Sequence, residues 1–277
     1  MTPKGRLIII GGKEDKSETD PEMKDVNKGF IPKEILKLIV ESKDDRIEVI
    51  TTATSEPKST EKTYRETFKK LGYSNFGFLY ITEKANSESL QRIEDAKTVF
   101  FSGGDQSKIC NVLKNSKILE RIHKRYLLDE KFTIAGTSAG AMCLSSVMIS
   151  EAVNGEAMIG YDLKLDEGLR FLDCIIDTHF VHRSRFGRLA HAVILNQKIL
   201  GIGLGEDTSL VVGQGNIATC KGSGMVIIIS SKHIKQTNVE TVKKGCPIFA
   251  ENLIIDILTE NCKINLTTGE FDVSEAE

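Results

Sequence analysis

Gly136-Thr137-Ser138-Ala139-Gly140 has the spacing G-x-S-x-G, which carries chemistry when a strand runs into it and a helix leaves it. Phe132 to Ala135 reads as that strand, and the segment through Met142 and Leu144 as that helix. So tight a turn forces its central residue into a strained backbone conformation, and glycines two residues either side allow the close approach it needs. Ser138 then stands at a helix N-terminus, where free N–H groups and the helix dipole favour developing negative charge. The N–H of Ala139 is the natural first donor to an oxyanion. Small residues at these positions also suit a turn that merely packs a helix on a sheet. The flanking strand and helix raise Ser138 to a candidate nucleophile.

A second glycine pair ends the segment Phe100-Phe101-Ser102-Gly103-Gly104, and a helix is expected to begin near Asp105. Ligand sites of α/β proteins form at the carboxyl ends of parallel strands, so Gly104 could lend a backbone N–H to the same oxyanion and Gln106 could face a pocket. Taken alone, the segment equally fits a turn with Asp105 as its N-cap.

A nucleophilic serine needs a base, usually histidine, oriented by a carboxylate. The histidines are 123, 179, 182, 191 and 233. His123 and His233 lie among lysines and arginines in segments that read as solvated. His179, His182 and His191 are better candidates, and His179 is best placed, because it follows a strand-like run Cys174 to Asp177. The acid is Asp177, Glu206 or Asp207, although Glu206-Asp207 also fits a solvated turn. His179-x-x-His182 with Asp177 and Glu206 offers metal-ligating side chains, but the spacing fits no strong metal signature and leaves the serine turn unexplained. No metal or cofactor is therefore expected. Arg183, Arg185 and Arg188 follow at once; guanidinium forks pair with carboxylates, so beside His179 they read as a carboxylate-binding patch, although such a run also suits an exposed helix start.

These residues need a scaffold, and the chain supplies a βα rhythm. Leu7 to Ile10 is a continuous apolar run that ends in Gly11-Gly12, as a buried parallel strand reads. Pro32 opens a helix through Ile35, Leu36, Ile39 and Val40. Strands follow at Ile47 to Ile50, Phe76 to Ile81 and Thr98 to Phe101. Helices are expected at Ser59 to Leu71 (stopped by Gly72), Ser87 to Glu94, Gln106 to Leu113 and Ile118 to Leu128. Repeated βαβ units predict an α/β fold, a mostly parallel sheet with helices on both faces. After about Gly201 the texture turns to strands, Thr208 to Val212, Met225 to Ile229 and Leu253 to Leu258, with glycine turns between. No linker-like tract appears, so residues 1–277 read as one domain whose β-rich C-terminal portion, about 208–270, is an extension packed on the sheet. Val273 to Glu277 reads as a fraying tail.

Composition narrows the classes. The 277 residues are 40% apolar and 27% charged, with a formal net charge of −2, so nothing draws the chain to nucleic acid or anionic membranes. No run approaches the about 18 apolar residues of a membrane span, and the N-terminus lacks a signal-peptide pattern. The six cysteines are scattered without a C-x-x-C pair and read as buried thiols in a reducing, cytoplasmic setting.

Together these motifs resemble the cyanophycinase family of serine peptidases. The resemblance is carried by Gly11-Gly12-Lys13-Glu14-Asp15-Lys16, by Phe101 to Gln106 and by Gly136 to Ala141. It continues through Asp177-Thr178-His179-Phe180, Arg183-x-Arg185-x-x-Arg188-Leu189 and Gly203-x-Gly205-Glu206-Asp207-Thr208. It implies a class I glutamine amidotransferase-like fold, often a homodimer. It also implies hydrolysis of cyanophycin, a poly-aspartate carrying arginine on each side chain, to β-aspartyl-arginine dipeptides. By motif position, Ser138 is the nucleophile, His179 the general base and Glu206 the orienting acid. Gly104 and Ala139 form the oxyanion hole, and Gln106, Asp177, Thr178, Arg183, Arg185 and Arg188 line the substrate pocket, with Asp177 facing substrate guanidinium groups. Two residues depart from the pattern: Thr178 stands where glutamine is common, beside the base, and Lys13 where alanine is common, at a position that suits the surface. The rival readings are an aspartyl dipeptidase of the same fold and a binding protein that has lost turnover.

Overall fold

Leu7, Ile8, Ile9 and Ile10 are all fully buried, an arrangement that a strand achieves only when both faces of its sheet are covered. Each such side chain contributes roughly 1.5–3 kcal/mol over its exposed state. A computed structural model describes residues 2–14, 30–82, 86–153 and 158–272; Asp15, Lys16 and the 273–277 tail lie outside the described residues. The elements begin with β1 (Arg6–Ile10), α1 (Glu34–Lys37), β2 (Ile47–Ile50), α2 (Pro57–Leu71), β3 (Phe76–Leu79), α3 (Ser87–Asp95) and β4 (Thr98–Phe101). Next come α4 (Gln106–Leu113), α5 (Lys117–Leu128), β5 (Thr133–Thr137), α6 (Ala139–Met142), β6 (Ser145–Ala152), β7 (Leu163–Glu167) and β8 (Leu172–Asp177). After α7 (Phe186–Leu195) the chain is strands: β9 (Leu200–Leu204), β10 (Thr208–Val212), β11 (Ile217–Gly222), β12 (Val226–Ser230), β13 (Gln236–Thr237) and β14 (Ala250–Glu251). The last are β15 (Ile254–Leu258), β16 (Lys263–Asn265) and β17 (Phe271–Asp272).

The larger sheet has the order β17-β16-β11-β10-β1-β5-β4-β2-β3. From β1 through β3 it is parallel, and from β1 through β17 antiparallel. A second sheet runs β15-β12-β9-β8-β6-β7, with only the β6–β8 and β8–β9 pairs parallel. The expectation of one mostly parallel sheet is thus corrected to a mixed α/β fold with two main sheets. The C-terminal strands are not laid upon a finished sheet: β10 pairs with β1 itself, and β12 pairs with β9. Short strands joined by glycine turns return beside their neighbours in the opposite sense, and this produces the antiparallel halves.

Alternation along β1 splits the apolar side chains between two cores. Ile8 and Ile10 join Leu36, Tyr64, Phe68 and Phe100 on one face; Leu7 and Ile9 join Phe101, Ile109, Ile122 and Ile202 on the other. The helices end where local chemistry predicts. Pro57 starts α2 and Gly72, at φ 81°, stops it, while Asn86, Asp105 and Ser116 cap α3, α4 and α5 through their side chains. The helix expected from Pro32 is shorter, because Lys33 adopts a left-handed φ of 58° and only Glu34–Lys37 is helical. Four cysteines are buried, but Cys262 is half-buried and Cys246 exposed, the latter in a turn closed by its N–H on Lys243 O. His123 is likewise not solvated: its ring stacks 4.0 Å from that of Phe171 and its Nε2 lies 2.8 Å from Leu169 O. No helix among the described residues is long and apolar enough to cross a membrane.

Candidate active site

Ser138 lies between β5 and α6 with φ 52° and ψ −120°, a backbone strain of about 1–3 kcal/mol for a non-glycine residue. The surrounding contacts show why glycines flank it. A Cβ on Gly136 would run into Gly140 O, and one on Gly140 into Phe101 O. The turn is held from behind by a buried carboxylate: Thr137 Oγ1 donates to Glu14 Oε2 at 2.7 Å, and Tyr64 Oη donates to Glu14 Oε1 at 2.8 Å.

His179 and Glu206 come to this serine from the second sheet. Asp177 ends β8, and two residues later His179 turns back with φ 49°, its N–H donating to Gly11 O at 2.9 Å. Its Nε2 is 3.0 Å from Ser138 Oγ, and its Nδ1 is 2.8 Å from Glu206 Oε1. Glu206 follows β9 and is nearly buried. Burial pushes its carboxyl up, but hydrogen bonds from Lys13 and His179 together outweigh this and hold it below the usual range. Burial is also the largest influence on His179 and lowers its pKa, opposed by the Glu206 bond and reinforced by Arg183. The result is a neutral imidazole aimed at the serine and a carboxylate fixed behind it. Of the three acids the sequence leaves open, Glu206 meets His179. Asp207 turns away, its φ at 49°, and accepts from the Ser223 hydroxyl. His191 is buried within α7.

The Gly103–Gly104 turn lies over the serine, since a Cβ on Gly103 would sit 3.5 Å from Ser138 Cβ. Gly104 has φ 140° and its Cβ position is filled by Ala53 O. Among the described residues, the N–H groups of Gly104 and Ala139 meet no backbone acceptor. Gln106 is less free to face a ligand, because its Nε2 donates to Ile149 O at 2.9 Å.

The arginine segment departs from a simple anion patch. Asp177 has no exposed surface, and its carboxylate accepts from Arg188 Nε at 2.6 Å, Arg188 Nη2 at 2.5 Å, Arg185 Nη1 at 3.2 Å and the Thr178 N–H at 2.8 Å. A buried carboxylate must be neutralised, and two of the chain's own guanidiniums do so. Asp177, expected to face a substrate guanidinium, is met here by Arg185 and Arg188 of its own chain. Thr178 is also fully buried, beneath the surface expected to carry it. Arg183 and His182 lie exposed.

Two features escape the sequence. Lys13 Nζ makes an ion pair with Glu206 Oε2 at 2.7 Å, where a charge beside two glycines suggests only surface. Gly12, at φ 109°, leaves the space that the His179 ring occupies, since a Cβ there would lie 2.7 Å from Nε2; the Gly11-Gly12 pair was its only sequence signal.

Fold and site together define a mixed α/β protein with a serine, a histidine and a carboxylate in hydrogen-bonded line. The family model of peptidase family S51 matches residues 16–220. Cyanophycinase of Trichormus variabilis is 31% identical over 270 residues, spanning 95% of this chain and 86% of that protein. Cyanophycinase of Geminocystis herdmanii is 29% identical over 271 residues, 95% of this chain and 94% of that one. The chain belongs to peptidase family S51 and is a serine-type peptidase. Among solved structures, a peptidase from an acI-B1 Actinobacterium shares the fold with a TM-score of 0.57 at 21% identity, covering 91% of this chain and 97% of that one. A putative peptidase E protein from Listeria monocytogenes does so with a TM-score of 0.53 at 13% identity, covering 81% and 100% respectively.

Proposed function

We propose that this peptidase hydrolyses cyanophycin to β-aspartyl-arginine dipeptides through an acyl-enzyme formed on Ser138. The observation that carries the chemistry is the continuous line Ser138 Oγ, His179 Nε2, His179 Nδ1, Glu206 Oε1, at 3.0 and 2.8 Å. The substrate is supported by relatives named cyanophycinase that align with 95% of the chain. No observation favours the dipeptidase or the inactive binder; the likeness to the Listeria protein is one of fold alone.

In this mechanism His179 Nε2 takes the Ser138 proton as Oγ attacks an aspartyl main-chain carbonyl. The N–H groups of Gly104 and Ala139 hold the oxyanion, an interaction that grows as charge develops. Glu206 keeps the Nδ1–H tautomer and stabilises the imidazolium. His179 then protonates the leaving amine, and water, deprotonated by the same base, releases the product. Arg183, exposed just after the base, is the arginine available for a substrate carboxylate, while Arg185 and Arg188 are engaged by Asp177. The same proposal takes the chain as a single cytoplasmic domain with a class I glutamine amidotransferase-like fold. It also takes it as a homodimer, for which the exposed apolar side chains Ile255 and Ile257 on β15 offer a surface.

The test is release of soluble dipeptide from insoluble cyanophycin, followed by chromatography, for the wild type and Ser138→Ala. Release by the wild type alone, unaffected by chelator, supports substrate and nucleophile together. No release from either removes the polymer as substrate, and equal release removes Ser138 as nucleophile.

A further inference from the structure

The Glu206 carboxylate has two oxygens and meets a different partner on each. Oε1 accepts from His179 Nδ1 at 2.8 Å, while Oε2 faces Lys13 Nζ at 2.7 Å and, further off, His182 Nε2 at 3.7 Å. Lys13 is not an ordinary surface lysine reaching for the nearest acid. Its side chain is two-thirds covered, with 33% exposure, and Glu206 retains only 3%. Its backbone is left-handed, φ 59°, a conformation that persists in a non-glycine residue only where the surroundings impose it.

Those surroundings belong to the site itself. The His179 N–H donates to Gly11 O and the Asp207 N–H donates to Gly12 O, each at 2.9 Å. The His179 ring occupies the side-chain space of Gly12. The loop that carries the ammonium is thus tied to the base on one side and to the residue after the acid on the other.

We infer that Lys13 is a positioning residue acting through Glu206: its ammonium on Oε2 offsets part of the carboxylate charge that His179 feels. The inference rests on the reading of His179 as base and Glu206 as its orienting acid. A cation beside the carboxylate weakens the field that favours an imidazolium at His179. Ser138 faces the ring at Nε2, Glu206 at Nδ1, and Arg183 and Arg185 add positive charge from the segment that follows it. Glu206 is faced by Lys13, His182 and His179. Without Lys13 the anion acts on the imidazole with less opposition, and the imidazole holds its proton to higher pH.

The experiment is an NMR titration of the imidazole nitrogens in the full chain, with His179 assigned by comparison with His179→Gln, in the wild type, Lys13→Met and Lys13→Arg. Methionine keeps the length and removes the charge; arginine keeps the charge. Lys13→Met is expected to raise the His179 midpoint by about half to one pH unit, and Lys13→Arg to keep it near wild type. The acidic limb of kcat/KM should move with the midpoint. An unchanged or lowered midpoint in Lys13→Met overturns the inference, as does loss of thermal stability in both variants without a titration shift. The titration needs no turnover, so failure of the catalytic reading shows separately, as hydrolysis that survives Ser138→Ala.

Discussion

The imidazole of His179 fills the place where a side chain on Gly12 would begin: a Cβ there would lie 2.7 Å from Nε2, the nitrogen that faces Ser138. Gly12 also has φ 109°, which a side chain tolerates poorly. The residue makes no bond to the serine, yet the line from Ser138 to Glu206 exists only while position 12 is empty.

Gly12→Ala should therefore push the ring off Ser138 while leaving the two cores intact. A displacement of about 1 Å at a reacting pair costs on the order of 100-fold in rate, so kcat/KM should fall by at least that much. Thermal unfolding should show a folded protein, less stable by roughly 1–2 kcal/mol. A variant that keeps near-wild-type turnover would show that His179 is not held by this contact.

Glu206→Gln removes the anion and offers His179 Nδ1 either an acceptor or a donor. Replacing the orienting carboxylate of a serine triad by its amide costs about 10⁴-fold in kcat through the wrong tautomer. A loss of about 10³–10⁴-fold is expected here, with KM little changed. Steady-state kinetics on dipeptide release measures it, and a loss below about tenfold would remove Glu206 from the relay.

The pH profile follows from the direction of the His179 shift. The base must be neutral to accept the serine proton, and burial, with Arg183, lowers its pKa below 6.5. Activity is thus retained through neutrality and lost on acidification, as the imidazole gains its proton. kcat/KM should be flat above pH 7 and fall with unit slope below a midpoint under 6.5. A midpoint above 7 would contradict the burial argument.

How far the sequence reveals this arrangement depends on how local each feature is. Ile47–Ile50, Thr98–Phe101 and Thr208–Val212 are legible to the residue, because each is a short run rich in β-branched and aromatic residues, which suits a strand. Pairing is not local, and so the antiparallel seat of β10 beside β1 is invisible in residues separated by the length of the fold. At the site, Ser138 announces itself because its strain demands nearby glycines. Lys13 does not, since a lysine after two glycines looks solvated until the fold brings Glu206 beside it. The Asp177–Arg188 pair is equally hidden: a run of arginines reads as a surface patch, and only the turn through His179 folds two of them onto a buried acid.

That buried acid gives a stability prediction. Asp177→Ala leaves Arg185 and Arg188 facing a site built for a carboxylate, and breaking such a pair typically costs about 3–5 kcal/mol. The urea midpoint should fall accordingly, together with activity. A substrate-contacting Asp177 would behave otherwise, raising KM while the midpoint stayed in place.

Asp207 offers the opposite case, a buried acid whose ionisation destabilises the fold. It is 2% exposed, and burial lifts its carboxyl from 3.8 to about 6, against the hydrogen bonds from Ser223 that favour the anion. The folded state therefore binds more protons than the unfolded chain between these two values, and stability falls as pH rises through that window. Above about pH 6 the full penalty is present; below 3.8 it vanishes. Asp207→Asn keeps an acceptor for the Ser223 hydroxyl and carries no charge, so it should be more stable than the wild type at pH 8 by roughly 1–3 kcal/mol. The gain should shrink at pH 5. Denaturant unfolding of both proteins at the two pH values measures it. A difference that does not change with pH would mean that the carboxyl ionises as freely in the folded chain as in the unfolded one, and that burial beside Glu206 costs it nothing.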